Sequence, residues 1–153
     1  MTSVRIPPRS PYGLIQEDLW DGTSVGEWRI LLACMFLNCT SRKQVERVLP
    51  QFIRRWPDPT TLLRASRDDV VNVCRPLGFA NRRTDNIFKM TAAFQAGDWH
   101  HAHQLPGVGD YGARAWEIFC LGRLGDDPPN DHALVRYHRW AREKLNEQRK
   151  EDT

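Results

Sequence analysis

Apolar positions recur along this chain at the three-to-four-residue spacing of an α-helix, and no stretch alternates as a half-buried strand does. Ser10 followed by Pro11 opens an expected first helix reaching about Trp20. From Ser24 onward, Trp28, Ile30, Leu31, Leu32, Met35, Phe36 and Leu37 make a helix apolar nearly all round, which places it at the centre of the fold. Ser41 caps a third helix to about Trp56. Within it Pro50 lacks an amide hydrogen and clashes with the preceding turn, so the backbone is expected to kink or break there.

A short helix over about residues 60–65 follows Pro59. Ser66 and Asp69 have the spacing of a capping box, with Asp in place of the usual Glu or Gln, and open a helix that stops before Pro76 and Gly78. A longer helix runs over about 81–96 to Gly97. The connection "WHHAHQLPGVG" leads to a helix over about 111–121, the loop "GRLGDDPPN" and a last helix over about 132–147. The expected architecture is an all-α, compact helical bundle without repeats. Its one domain spans residues 5–147, and the polar residues 148–153 belong to a tail expected to fray.

A chain of 153 residues, 41% hydrophobic and 27% charged, suits one soluble domain with a well-buried core. No apolar run is long enough to cross a bilayer, and "MTSVRIPPRS" lacks the apolar centre of a secretory signal, so an intracellular protein without a membrane partner is expected. A bacterial cytoplasm or nucleoid and a eukaryotic nucleus are equally compatible with that. Cys34, Cys39, Cys74 and Cys120 form no C-x-x-C pair and read as buried, reduced thiols, so neither an iron–sulfur cluster nor a zinc knuckle is expected. His100, His101 and His103 have no accompanying carboxylate or cysteine cluster and read as a solvated connection, with no metal site.

The net charge of +3 is too mild to identify a polyanionic partner. Its distribution is more informative, because Arg42 with Lys43, Arg54 with Arg55, and Arg82 with Arg83 form doublets near expected helix ends. Such doublets serve either a solvated face or phosphate oxygens.

In "QLPGVGDYGARAWEIF", a proline and two glycines stand directly ahead of an amphipathic helix. A hairpin containing Gly107, Val108 and Gly109 would leave backbone N–H groups at the following helix's N-terminus facing outward. That is an anion site which glycines let a phosphate approach closely, while Leu105 and Val108 pack inward. The plainer reading is a helix stop followed by a tight turn. "LPGVG" before a helix resembles the hairpin of the helix-hairpin-helix DNA glycosylases, whose second mark is an aspartate on the next helix; here Asp131 stands twenty residues beyond Tyr111.

"PPRSPYGLIQEDLW", "LLACMFLNCTSRKQV", "RPLGFANRRTDNI", "LPGVGDYGARAWEIFC" and "NDHALVRYHRW" resemble, in order and spacing, the catalytic domain of the methyl-CpG-binding domain protein 4 family over about residues 5–145. The methyl-CpG-binding domain itself has no counterpart. The resemblance implies the HhH-GPD glycosylase fold without an iron–sulfur cluster. It also implies removal of thymine or uracil mispaired with guanine, by a monomer acting on double-stranded DNA that carries a mismatched or damaged base. It implies no cofactor, beyond the family-level option of a monovalent cation bound by the hairpin backbone.

Residue by residue, Asp131 is the expected catalytic carboxylate: cleaving an N-glycosidic bond develops positive charge on the sugar, which a carboxylate stabilises while orienting or deprotonating water. Its alternative role is a helix N-cap, unless Asn130 caps instead. Tyr111 takes the position of a Schiff-base lysine in bifunctional members; a phenol forms no imine, so a monofunctional enzyme is expected, with Tyr111 also lining the base pocket beside Gln16. By the resemblance, DNA lies against the hairpin (Leu105, Gly107, Val108, Gly109), against Leu77 and Phe79, against Arg82 and Arg83 as phosphate contacts, and against Cys39, Thr40 and Ser41. His132, next to Asp131, is a further candidate contact to the active site or the DNA backbone. Two positions depart from the family pattern: Cys39 stands where an arginine fills the gap left by the flipped nucleotide, and Ala133 where a lysine stands. A glycosylase for another base, such as 5-hydroxymethyluracil or mispaired adenine, and a non-catalytic DNA-binding hairpin module are the alternatives.

Overall fold

A computed structural model describes residues 9–125, 127, 129 and 131–151, all of them helical or irregular, with no strand. Helix α1 (Ile15–Leu19) begins later than Ser10 and Pro11 suggest. The cause is Glu17, whose carboxylate accepts from the Ser10 amide, from the Ser10 hydroxyl at 2.9 Å and from the Leu14 amide at 2.6 Å, folding residues 10–14 into a turn. Helix α2 (Ser24–Leu37) is capped by Thr23, whose side chain accepts from the Gly26 amide at 3.0 Å. Trp28, Ile30, Leu31, Leu32, Ala33 and Phe36 are fully buried, and α2 forms the central element. The Trp28 indole donates to Thr91 at 3.0 Å, so its one polar atom is satisfied inside the core.

Helix α3 (Arg42–Arg55) starts at a reciprocal capping box between Ser41 and Gln44 and runs unbroken through Pro50, against the expectation of a break. Pro50 faces solvent, whereas Val45, Val48, Leu49 and Phe52 on either side of it are buried. The Phe52 ring packs edge-on against Phe36 at 5.2 Å and Trp56 at 4.9 Å. Burying large apolar side chains at about 1.5–3 kcal/mol each outweighs the roughly 3 kcal/mol that an interior proline costs.

Helix α4 (Pro59–Leu63) is capped by Asp58, which accepts from the Thr61 amide at 2.8 Å. Ser66 precedes α5 (Arg67–Cys74), but the expected box with Asp69 does not form. Asp69 lies instead 3.4 Å from Arg55 of α3. A 3-10 turn (Arg75–Leu77) leads to α6 (Ala80–Ala96), and a second 3-10 turn (Ala102–Gln104) leads to α7 (Asp110–Phe119). Helix α8 (His132–Glu151) runs past the expected end at about Glu147.

Around α2 pack α1, α3, α6 and α7. The Phe94, Trp99 and Trp116 rings, 5.3 and 5.8 Å apart in sequence, join α6 to α7. Cys34, Cys74 and Cys120 are buried and unpaired as expected, while Cys39 is exposed, a correction explained by its place in a turn beyond the end of α2. Burial pushes the Cys34 thiol up to about 12 and the Cys74 thiol up to about 11, so both remain protonated at neutral pH.

Candidate active site

The two hairpin glycines have different jobs. Gly107 sits at φ +79°, and a Cβ there would lie 2.9 Å from Met35 Cε and 3.2 Å from Asn86 Cβ, so the protein's own packing against α2 and α6 demands glycine. Gly109 has φ −89° and ψ −170°, which any residue adopts, and a Cβ there would meet nothing within 4 Å. Among the described residues nothing requires glycine at 109. Leu105 anchors the hairpin in the core and accepts from the Val108 amide at 3.2 Å, and half-buried Val108 packs against that core. Among the described residues no side chain caps α7, and the exposed carboxylate Asp110 stands in its first turn.

Beside the hairpin, an open cleft of about 1130 Å³ is lined by Gln16, Cys34, Tyr111 and Asp131. Gln16 is 2% exposed, and its amide nitrogen donates to the Tyr111 hydroxyl at 2.7 Å and to Cys34 Sγ at 3.6 Å. Burial is the largest cause holding the Tyr111 phenol well above its ordinary pKa, with the neighbouring Cys34 and Asp131 adding to it and the Gln16 bond opposing it. Tyr111 therefore keeps its proton at neutral pH and can donate a hydrogen bond into the cleft. Gly112 brings α7 close to α2, since a Cβ there would lie 3.5 Å from Cys34 Cβ and 3.1 Å from Val108 Cγ1.

Asp131 takes the cap position of α8 that sequence reasoning set against catalysis. Its Oδ2 accepts from the amides of Ala133 and Leu134, both at 3.1 Å. Both bonds land on one oxygen, and Oδ1 accepts none among the described residues. The two roles are compatible, because capping fixes the carboxylate while leaving an oxygen for the cleft. Asn130, the alternative cap, and the His132 side chain lie outside the described residues.

The segments expected to meet DNA divide into surface and core. Cys39, Ser41, Phe79 and Arg82 are exposed, Phe79 at 73%. Half-buried Thr40 turns its hydroxyl back to the Phe36 carbonyl, and Ser41 Oγ accepts from the Gln44 amide at 3.2 Å. Leu77, expected on the approaching loop, is 4% exposed and belongs to the core. Arg83, expected as a phosphate contact, points inward instead: its guanidinium donates to the Gly78, Met35, Asn38 and Leu77 carbonyls at 2.8, 3.1, 2.8 and 3.3 Å. Four backbone acceptors outcompete solvent and phosphate for that group.

Three features were not foreseen. Cys34 lies directly behind Gln16, and the small residue Gly112 after Tyr111 was the only sequence hint of so close a helix pair. Arg114 of α7 donates to the carbonyls of Leu124, at 2.7 Å, and Asp127, while His138 of α8 donates to the Leu124 and Gly125 carbonyls at 2.9 and 3.0 Å; together they tie Leu124, Gly125 and Asp127 to α7 and α8. In the histidine connection His100 and His103 are exposed, as expected of a solvated segment, while His101 is half-buried. His101 lies 3.1 Å from Glu117 and packs on Trp116 with ring centres 4.9 Å apart. Among the described residues no group of three or more His, Cys, Asp or Glu side chains is placed to hold a metal ion.

A hairpin with a bare glycine, a following helix and a carboxylate on the next helix share one cleft, and the sequence of that region matches a known family. Residues 32–152 match the family described as HhH-GPD superfamily base excision DNA repair protein. The chain belongs to the HhH-GPD superfamily. It is 37% identical over 137 residues to a methyl-CpG-binding domain protein 4-like protein of Arabidopsis thaliana, covering 90% of this chain and 30% of that protein. It is 32% identical over 124 residues to a thymine-DNA glycosylase of Aeropyrum pernix, covering 76% of this chain and 54% of that protein. An adenine DNA glycosylase of Mycobacterium tuberculosis is 31% identical over 108 residues, covering 66% of this chain and 35% of that protein. The chain thus spans between 30% and 54% of the length of these relatives. As an HhH-GPD chain it carries the hairpin glycines and the carboxylate on all-helical scaffolding. Among its described residues no helix is long and apolar enough to cross a membrane.

Proposed function

We propose that this HhH-GPD chain is a monofunctional DNA glycosylase that releases thymine or uracil mispaired with guanine from duplex DNA. The observation that carries the reading is the shared cleft, in which the Gln16 amide and Tyr111 phenol bond to each other at 2.7 Å on the wall that Asp131 also lines. The hairpin and the first amides of α7 hold the phosphate backbone, with Gly109 letting it come close. Extruding the target base costs a few kcal/mol and least at a mismatch, which selects G·T and G·U over paired thymine. An amide and a phenol suit the hydrogen-bonding edge of a pyrimidine.

In the chemical step the bond between the base nitrogen and C1′ breaks, its electron pair leaving with the base. The Asp131 carboxylate stabilises the cationic sugar and takes the proton of the water that adds at C1′. With a phenol at the position where an amine would form an imine, the product is an abasic site in an intact strand.

The substrate is identified by single-turnover release from labelled duplexes carrying G·T, G·U, A·U, G·5-hydroxymethyluracil and A·8-oxoguanine, each with and without hot alkali. Release from G·T and G·U, with strand cleavage only after alkali, is expected. Release of adenine instead assigns the site to the chemistry named for the mycobacterial relative, and DNA binding without release of any base leaves a binding module. A second expectation concerns the bare hairpin: Gly109→Ala changes stability by less than about 0.5 kcal/mol, because its methyl group meets only open space. It nevertheless weakens duplex binding, as read by fluorescence anisotropy at fixed salt, because the methyl group occupies the phosphate's approach. Unchanged affinity would remove Gly109 from the DNA contact.

A further inference from the structure

Among the described residues only Cys39 and Phe79, at φ 61° and 51°, are non-glycine residues in the left-handed region. Both are exposed, on different segments: Cys39 beyond the end of α2, Phe79 at the start of α6. One side chain grips the carbonyl that precedes each. Arg83 Nη2 donates to the Asn38 carbonyl and Nε to the Gly78 carbonyl, both at 2.8 Å. The same guanidinium also takes the Met35 carbonyl at 3.1 Å and the Leu77 carbonyl at 3.3 Å, so its charge sits where α2 and the 3-10 turn Arg75–Leu77 both end. Helix C-termini leave such carbonyls unpartnered and favour a cation. Met35 in turn lies under Gly107, so the same end of α2 also seats the hairpin.

The geometry points to Arg83 as a positioning residue that locks the turns at Cys39 and Phe79 into one two-pronged element for opening the duplex. This rests on the glycosylase reading. Strained backbone persists where the surroundings over-determine it, and such strain clusters at functional sites. Here a planar fork spanning both turns supplies that determination. The short Cys39 thiol then acts together with the Phe79 ring, in place of a long side chain, at the gap left by the extruded base. Lysine keeps the charge but, as a compact point donor, cannot span both carbonyls with the geometry of a fork.

The test compares Arg83→Lys with the unaltered protein for single-turnover uracil release from a G·U duplex and from a duplex with uracil in a one-base bulge, where it is already unpaired. Because the element opens the duplex, release from G·U is expected to slow about tenfold or more while release from the bulge changes no more than about twofold. Backbone amide exchange at residues 38–41 and 78–80 is expected to rise together. Equal slowing on both substrates would make Arg83 a general brace of the fold, and unchanged rates on both would give it no part in the reaction; either result overturns the inference. Cys39→Ala, Phe79→Ala and the double variant test the coupling without touching Arg83. A double loss smaller than the product of the single losses supports a joined element, and a multiplicative loss contradicts it. If the unaltered protein releases uracil from neither substrate, the glycosylase reading fails first, a result distinct from any behaviour of the variants.

Discussion

Asp131→Asn is expected to lower single-turnover release from a G·U duplex about a thousandfold, the scale of losing a general base and an electrostatic stabiliser, without lowering the thermal midpoint. The separation follows from the two jobs of the carboxylate. Its Oδ2 caps α8 by accepting from the Ala133 and Leu134 amides. An asparagine carbonyl oxygen accepts the same bonds and is an equally good cap. The negative charge that would face the developing cation on the sugar is what asparagine lacks. Asp131→Ala removes both functions, so it is expected to be as inactive and also less stable by about 1 kcal/mol, a midpoint shift of roughly 2–4 °C for a chain of this size. An asparagine variant that melts early would show that charge at the cap matters to the fold. An asparagine variant that retains full activity would take Asp131 out of the chemistry.

Gly107→Ala is expected to have the second largest effect, on stability and DNA binding together. The added methyl group requires a left-handed backbone at φ +79° and lies 2.9 Å from Met35 Cε and 3.2 Å from Asn86 Cβ. Met35 Cε, at the end of a flexible side chain, yields cheaply, whereas the Asn86 Cβ is fixed to α6. Backbone strain and crowding together cost about 2 kcal/mol, which corresponds to a midpoint lower by roughly 4–8 °C. Displacing the hairpin from α2 also moves the first amides of α7, so duplex affinity falls beyond what Gly109→Ala causes. Differential scanning calorimetry and anisotropy titration on both variants measure this contrast. Equal midpoints for the two would mean that Gly107 is not held by packing.

Much of the fold was legible because helical periodicity reports burial directly: the all-round apolar pattern of α2 gave its central position, and Ser41 marked the start of α3. What the sequence concealed lay in tertiary competition. Pro50 reads as a breaker until Phe52 is seen packed between Phe36 and Trp56. Ser10 and Pro11 read as a helix start until the Glu17 carboxylate is seen collecting the amides ahead of α1. Asp69 is drawn to Arg55 and away from Ser66.

The site shows the same division. Gln16, Tyr111 and Asp131 carry readable chemistry, and the fold lines them along one cleft. Arg82 and Arg83 are chemically identical in sequence, and only the four carbonyls around Arg83 decide that one faces solvent and the other the interior. Leu77 and Phe79 are likewise two apolar neighbours on one loop, one filling the core and the other left 73% exposed. Asp131 could not be assigned to capping or catalysis from spacing alone, because one carboxylate has two oxygens and the fold uses one.

The most direct test of the account is mass analysis of both products after a single turnover on a G·T duplex and a G·U duplex. Free thymine or uracil, with an abasic strand that stays intact until alkali is added, is the predicted result. A strand already cut without alkali would contradict the monofunctional mechanism, and bound but unaltered duplexes would contradict excision of thymine or uracil by this cleft.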